Sequence, residues 1–124
     1  MRPVLFKRRS VQTISPATAS DRFFCGHLSI VDVRSDAEWA EARVPGSTHI
    51  PLGKLRHGLP HVRDDRPVAF LCRSGHRSRF AARHAARHRS DTTSIEGGLN
   101  AWIAATLPIA RCAAPTESPN RCTE

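Results

Sequence analysis

The residues best suited to chemistry lie together at positions 68–78, which read Val-Ala-Phe-Leu-Cys-Arg-Ser-Gly-His-Arg-Ser. One thiol, Cys72, stands within a few residues of three basic side chains, Arg73, His76 and Arg77, and of two hydroxyls, Ser74 and Ser78. Positive charge and hydrogen-bond donors favour the thiolate over the thiol, so Cys72 is expected to be a nucleophile at neutral pH. Gly75 tolerates positive φ and lets the backbone curl until its N–H groups aim at one point. Arg73 and Arg77 would bind an anionic substrate and carry the charge of its leaving group, while Ser74 and Ser78 add hydroxyl donors. His76 has two readings that the residues leave open: it tunes the local charge near pH 7, or it occupies the rim.

Such a loop needs a rigid element on each side. Residues 68–71 are apolar, with the length and residue types of a buried strand, and they deliver Cys72 to the strand's carboxyl end. Ser78 is placed to cap a helix running from Arg79 to about His88. The thiol then sits between a strand end and a helix start, where free N–H groups and the helix dipole favour negative charge. On that helix Ala81, Ala82 and Ala85 form a small face for close packing. Arg79, Arg83 and Arg87 recur on the opposite, solvated face, and His84 and His88 are expected to be partly buried beside the alanines.

The rest of the chain alternates strands and helices. Residues 11–14 suit an edge strand, and Ser15-Pro16 starts a helix that runs to about Cys25 and stops at Gly26. Residues 28–33 form a nearly continuous apolar run, a buried parallel strand. Asp32 and Arg34 at its end either orient the loops of the site or form a plain ion pair, the structural role being favoured. Ser35 and Glu38 make a capping box, so a helix follows with Trp39 and Ala40 inward and continues toward Pro45-Gly46. Residues 48–50 read as a short strand, and 52–59 as a brief helix with Leu52, Leu55 and Leu59 inward. Residues 61–67 form a polar connection in which Asp64 and Asp65 are a solvated turn. Residues 92–95 are a last strand, short of apolar side chains. Gly97-Gly98 turns the backbone into a closing helix, 99–105, with Leu99, Trp102 and Ile103 inward. Alternation with short links implies an α/β fold whose ligand crevice lies beyond the carboxyl ends of parallel strands.

The stretch Leu71-Cys72-Arg73-Ser74-Gly75-His76-Arg77-Ser78 resembles the active-site loop of single-domain rhodaneses, sulfurtransferases that carry sulfane sulfur as a cysteine persulfide. Three further stretches agree in order and spacing: Ile30-Val31-Asp32-Val33-Arg34, then Glu38 to Ser47 with His49-Ile50-Pro51, then Ile95 to Trp102 with Leu107-Pro108. The sequence departs from the pattern at Arg43, where relatives often carry histidine, and at Arg89-Ser90-Asp91, where glycine and a bulkier strand are usual. The resemblance implies a three-layer α/β domain over residues 11–110, with a central, mainly parallel sheet of about five strands and helices on both faces. A flexible stretch, 1–10, would precede it and a disordered tail, 111–124, would follow. It further implies Cys72 as the catalytic residue, Arg73, Ser74, Gly75, His76, Arg77 and Ser78 as substrate-binding residues, and Asp32 and Arg34 as supports. Thiosulfate or a similar small anion would give sulfur to Cys72, and cyanide, a thiol or a protein would accept it. No cofactor and no metal are implied.

Composition narrows the remaining classes. A chain of 124 residues suffices for one domain with its own core. No apolar run reaches the 18 or more residues of a membrane helix. The basic start lacks the apolar segment of a secretory signal, so a soluble, cytoplasmic, monomeric protein is expected. The net charge of +8 comes almost wholly from arginines scattered along the chain. That scatter argues against nucleic acid as a partner while drawing small anions to the surface. Cys25, Cys72, Cys112 and Cys122 show no paired spacing, so neither a disulfide framework nor a zinc site is expected. Three rival functions use the same thiol. A phosphatase or arsenate reductase on a related loop would need its arginine at the sixth position after the cysteine, where this chain has Ser78. A persulfide carrier would serve a protein partner, and a redox sensor would pair Cys72 with a second cysteine.

Overall fold

The computed structural model describes residues 11–63 and 65–112. Five short strands, β1 (Thr13–Ile14), β2 (Ser29–Asp32), β4 (Thr48–His49), β5 (Val68–Leu71) and β6 (Thr92–Ile95), form one parallel sheet in the order β1-β6-β5-β2-β4. The expected α/β architecture is therefore present, with β1 at an edge and β5 at the centre. Side chains alternate across β5 as in any strand. Val68 and Phe70 join a cluster with Val31, Leu55, Leu59, Ala81, Ala82 and Ala85 on one side, and Cys72 lies within that cluster. Ala69 and Leu71 face Ala19, Ile30, Ile95, Leu99 and Trp102 on the other. The first cluster is covered by α3 (Leu55–Gly58) and α4 (His76–Ala85), the second by α1 (Pro16–Phe24) and α5 (Gly98–Ala104).

Local signals account for most boundaries. Ser15 Oγ accepts the Thr18 N–H and Pro16 occupies the first helical turn, which fixes the start of α1. The capping box at Ser35 and Glu38 opens α2 (Asp36–Glu41). On α4, Ala81, Ala82 and Ala85 are buried while Arg79 and Arg83, and Arg87 just beyond its end, are exposed, as the spacing predicts. Trp102 is wholly buried and its Nε1–H donates to the Pro108 carbonyl at 2.7 Å, which locks α5 against the chain that follows.

Several expectations are corrected. Helix α4 begins at His76, with Gly75 at its cap in the left-handed region (φ 113°), so Ser78 lies inside the helix and does not cap it. Its last helical residue is Ala85, and His88 beyond it is exposed. Helix α2 stops at Glu41 because the chain turns extended into β3 (Ala42–Arg43), which pairs antiparallel with β7 (Ala110–Arg111). No sequence pattern pointed to this second, two-stranded sheet, which also places Arg111 in ordered structure and not in a tail. Residues 1–10 and 113–124, expected to be a flexible start and a disordered tail, lie outside the described residues, as does Asp64. Ala40 and Ile103 are exposed, not inward. Trp39 stacks on the His49 ring, centroids 4.7 Å apart, and the Arg43 guanidinium lies 5.0 Å from the centre of the Trp39 ring. Cys112 is disulfide-bonded, against the expectation of no disulfide, whereas Cys25 and Cys72 are free thiols.

Candidate active site around Cys72

Strand β5 ends at Leu71, and its buried, fully paired backbone holds the next residue, Cys72, in a fixed place. Cys72 is only 1% exposed. Burial alone pushes a thiol's pKa up, but here hydrogen bonds outweigh it and the net shift is downward. The Gly75 N–H donates to Sγ at 3.0 Å and the Ser78 N–H at 3.3 Å. The Ser78 hydroxyl lies 3.5 Å from Sγ, and the Ser74 amide adds to the same lowering. Two backbone donors reach one sulfur because Gly75 adopts positive φ, turning the chain back over Cys72 as α4 begins.

The hydroxyl of Ser78 is held from two sides. It donates to the Gly75 carbonyl at 3.1 Å and shares a 2.7 Å hydrogen bond with Ser94 Oγ on β6. With Ser94 as donor in that pair, the single Ser78 hydrogen is free to point at Gly75 O or at the thiolate. The loop is also pinned at its base. The Leu99 N–H donates to Cys72 O at 2.7 Å and the Asn100 N–H to Arg73 O at 3.0 Å. This close approach requires Gly98, where a Cβ would lie 2.4 Å from Cys72 O and 2.5 Å from Arg73 O. A cavity of about 250 Å³ opens beside the loop, lined among others by Ser74, Gly75, His76, Arg79 and Glu96.

The two loop arginines do not point into open solvent as free cations. Arg77 grips Glu38 with both terminal nitrogens, Nη1 to Oε1 at 2.8 Å and Nη2 to Oε2 at 3.0 Å, and Arg73 Nε donates to Oε2 at 3.2 Å. Oε1 also accepts the Ser35 N–H at 2.9 Å, so the carboxylate that caps α2 also bridges to the Cys72 loop. Hydrogen bonding from Arg77 holds the Glu38 carboxyl far below the usual carboxylate range, even though partial burial works the other way. Reciprocally, Glu38 raises Arg77, and the charges of Cys72 and Asp32 act in the same direction.

Asp32 and Arg34 lie behind this cluster, both buried. Arg34 Nε donates to both carboxylate oxygens of Asp32 at 3.0 Å, and the Arg34 N–H adds a third bond at 2.9 Å. The far end of the guanidinium reaches the Ala42 carbonyl at 2.6 Å and the Glu38 carbonyl at 3.3 Å. The pair thus ties the end of β2 to the end of α2 and sets the position of Glu38.

Of the residues singled out by sequence, Cys72, Gly75 and Ser78 converge on the sulfur. Ser74 and His76 are exposed on the rim, their side chains 3.4 Å apart. Arg73 and Arg77 converge instead on Glu38. Two participants were missed: Glu38, read only as a capping residue, and Ser94, whose one available signal was a hydroxyl in a strand otherwise too polar to be buried. Among the described residues no group of three or more His, Cys, Asp and Glu side chains could hold a metal ion, and no helix is long and apolar enough to cross a membrane.

A sequence model described as Rhodanese-like domain matches residues 15–105. YtwF of Bacillus subtilis, named as a candidate sulfurtransferase, is 31% identical over 99 residues, covering 79% of this chain and 96% of that protein. A sulfurtransferase of Allochromatium vinosum is 31% identical over 81 residues, 64% of this chain and 76% of that one. Among solved structures, a rhodanese-related protein of Thermoplasma volcanium superposes with a TM-score of 0.73 at 24% identity, covering 79% of this chain and 96% of the other. A Rhodopseudomonas palustris protein of unknown function, described as a possible tyrosine phosphatase, gives 0.72 at 29% identity, over 80% of this chain and 84% of that one.

Proposed function

Because the chain belongs to the rhodanese-like domain family, we propose that it transfers sulfane sulfur through a persulfide on Cys72, from thiosulfate or a similar donor to a thiophilic acceptor. The Cys72 thiolate attacks the donor's outer sulfur. In thiosulfate the bond from that sulfur to the sulfonate sulfur breaks, and sulfite leaves with the electron pair. The acceptor, whether cyanide, a thiol or a protein, then attacks the outer sulfur of the persulfide and Cys72 departs as thiolate. The Gly75 and Ser78 amides stabilise the sulfur anion in both half-reactions, since they are already oriented before either begins.

The observation that carries this reading is the pair of backbone donors at 3.0 and 3.3 Å from one buried sulfur. It favours sulfur transfer over phosphate chemistry. A tetrahedral phosphate would need a cation clamped over the ring, and the loop arginine Arg77 holds Glu38 with both of its terminal nitrogens. The test is direct. After thiosulfate treatment the intact mass should rise by one sulfur atom, and Cys72→Ser should abolish both that gain and thiocyanate formation from thiosulfate and cyanide. Retained thiocyanate formation in the variant would overturn the proposal. Aryl phosphate hydrolysis that depends on Cys72, with no sulfur gained, would instead favour a phosphatase.

A further inference from the structure

We infer that Glu38 is a specificity-determining residue of the sulfur-donor site: by occupying Arg77 and Arg73 it disfavours dianionic donors and makes hydropersulfides, R–S–SH or R–S–S⁻, the preferred source of sulfur. The inference rests on the persulfide reading of Cys72 and goes beyond it by naming the donor class.

Charge and hydrogen-bond count support it together. The Glu38 carboxylate receives four donors: Ser35 N–H and Arg77 Nη1 on one oxygen, Arg77 Nη2 and Arg73 Nε on the other. A forked arginine–carboxylate contact of this kind is strong and directional, and its geometry is the one an incoming sulfonate would otherwise claim. The three side chains together carry one net positive charge where the two arginines alone would carry two. Thiosulfate brings two negative charges beside a thiolate, so it must either compete with Glu38 for Arg77 or approach an arginine pair whose net charge Glu38 has halved. A hydropersulfide brings one charge or none. The transfer balances without any co-reactant: Cys72–S⁻ attacks the outer sulfur of R–S–S⁻, the R–S to S bond breaks, R–S⁻ leaves with the electron pair, and Cys72–S–S⁻ remains. The departing thiolate carries less charge than sulfite and needs less from Arg77.

Glu38→Gln separates this role from the structural one. Glutamine serves at the third position of a capping box as well as glutamate does, so α2 keeps its start while the negative charge is removed. Rates of Cys72 persulfide formation would be followed by intact mass with thiosulfate and with tert-butyl hydropersulfide. Removing one negative charge aids a dianion about twice as much in free energy as a monoanion, so about a tenfold gain is expected with thiosulfate and about threefold or less with the hydropersulfide, even at water-like screening. The thiosulfate gain should shrink at high salt. A thiosulfate-to-hydropersulfide ratio that stays level or falls in Glu38→Gln overturns the inference. The unmodified protein supplies a second measurement. With each rate divided by that of free cysteine with the same donor, the hydropersulfide should lead, and a lead for thiosulfate likewise overturns it. Failure of the underlying reading looks different, because then neither donor adds sulfur to Cys72 in the unmodified protein.

Discussion

Two arginine–carboxylate centres stand one behind the other in this domain, and they differ in what surrounds them. Asp32 and Arg34 are 0% and 3% exposed, and Arg34 reaches two backbone carbonyls as well as its carboxylate. Glu38, Arg77 and Arg73 are 17%, 37% and 57% exposed and hold one another across a gap between α2 and the Cys72 loop. The same pair chemistry therefore does two jobs. Where water is excluded and every donor has a fixed partner, the pair is scaffold, since removing either member strands a buried charge. Where water reaches both members, screening leaves the contact little weight in folding stability, even though its geometry holds both arginines in place.

The contrast is most easily broken at the buried centre. Asp32→Ala leaves the Arg34 guanidinium without its carboxylate in a site that water barely enters, and should cost about 3–5 kcal/mol in urea unfolding. Glu38→Gln, which removes the same kind of charge from the open centre, should cost under about 1 kcal/mol. Similar losses for the two variants would show that exposure does not separate scaffold from ligand site.

What the sequence made legible follows the same divide between local and remote causes. The parallel sheet, the position of Cys72 at a strand end and the small face of α4 rest on periodicity and caps that lie within a few residues of one another. The start of α4 was misplaced because Ser78 is a good capping residue and Gly75 a good left-handed one, and local propensity does not decide between them. The sheet made by β3 and β7 pairs residues 42–43 with 110–111, a contact that no local pattern announces. Glu38 was legible as a cap and illegible as the partner of Arg77, 39 positions away. The shortage of apolar side chains in β6 has a remote cause of the same kind: Thr92 is buried with its hydroxyl on the Ala82 carbonyl, and Ser94 with its hydroxyl on Ser78. Both departures from an apolar strand are answered by α4.

Ser94 offers an intermediate case, a buried polar contact with no charge. Ser94→Ala removes the 2.7 Å partner of Ser78 but leaves the Gly75 carbonyl to accept from it. The expected loss is about 1 kcal/mol, between the two charged centres. The Cys72 thiolate should also become harder to form, because a Ser78 hydroxyl that no longer accepts a hydrogen bond from Ser94 is a weaker donor to the sulfur. Alkylation of Cys72 followed against pH would show this as a higher midpoint, and an unchanged midpoint would remove Ser94 from the site.

The smallest effect sharpens the comparison through pH. The Glu38 carboxyl is depressed in the folded protein, chiefly by its hydrogen bonds from Arg77. A carboxylate of this kind contributes stability that is present above its unfolded pKa of about 4.3 and is lost as pH falls from there through the folded value. Between those two values the unfolded chain binds more protons than the folded one, so stability rises with pH in that window and levels off above it. Asp65 and Asp91 are depressed as well, by Arg63 and Arg89, so the raw acid slope belongs to all three carboxylates. Subtracting the Glu38→Gln profile isolates the open centre. The difference should be constant above about pH 5.5 and shrink below about pH 4.5. Because solvent screens this cluster, its whole amplitude should stay within the range of an exposed ion pair, under about 1 kcal/mol. A difference that persists undiminished to about pH 3 would mean that Glu38 does not stabilise the fold through its charge, since glutamine keeps the capping bonds.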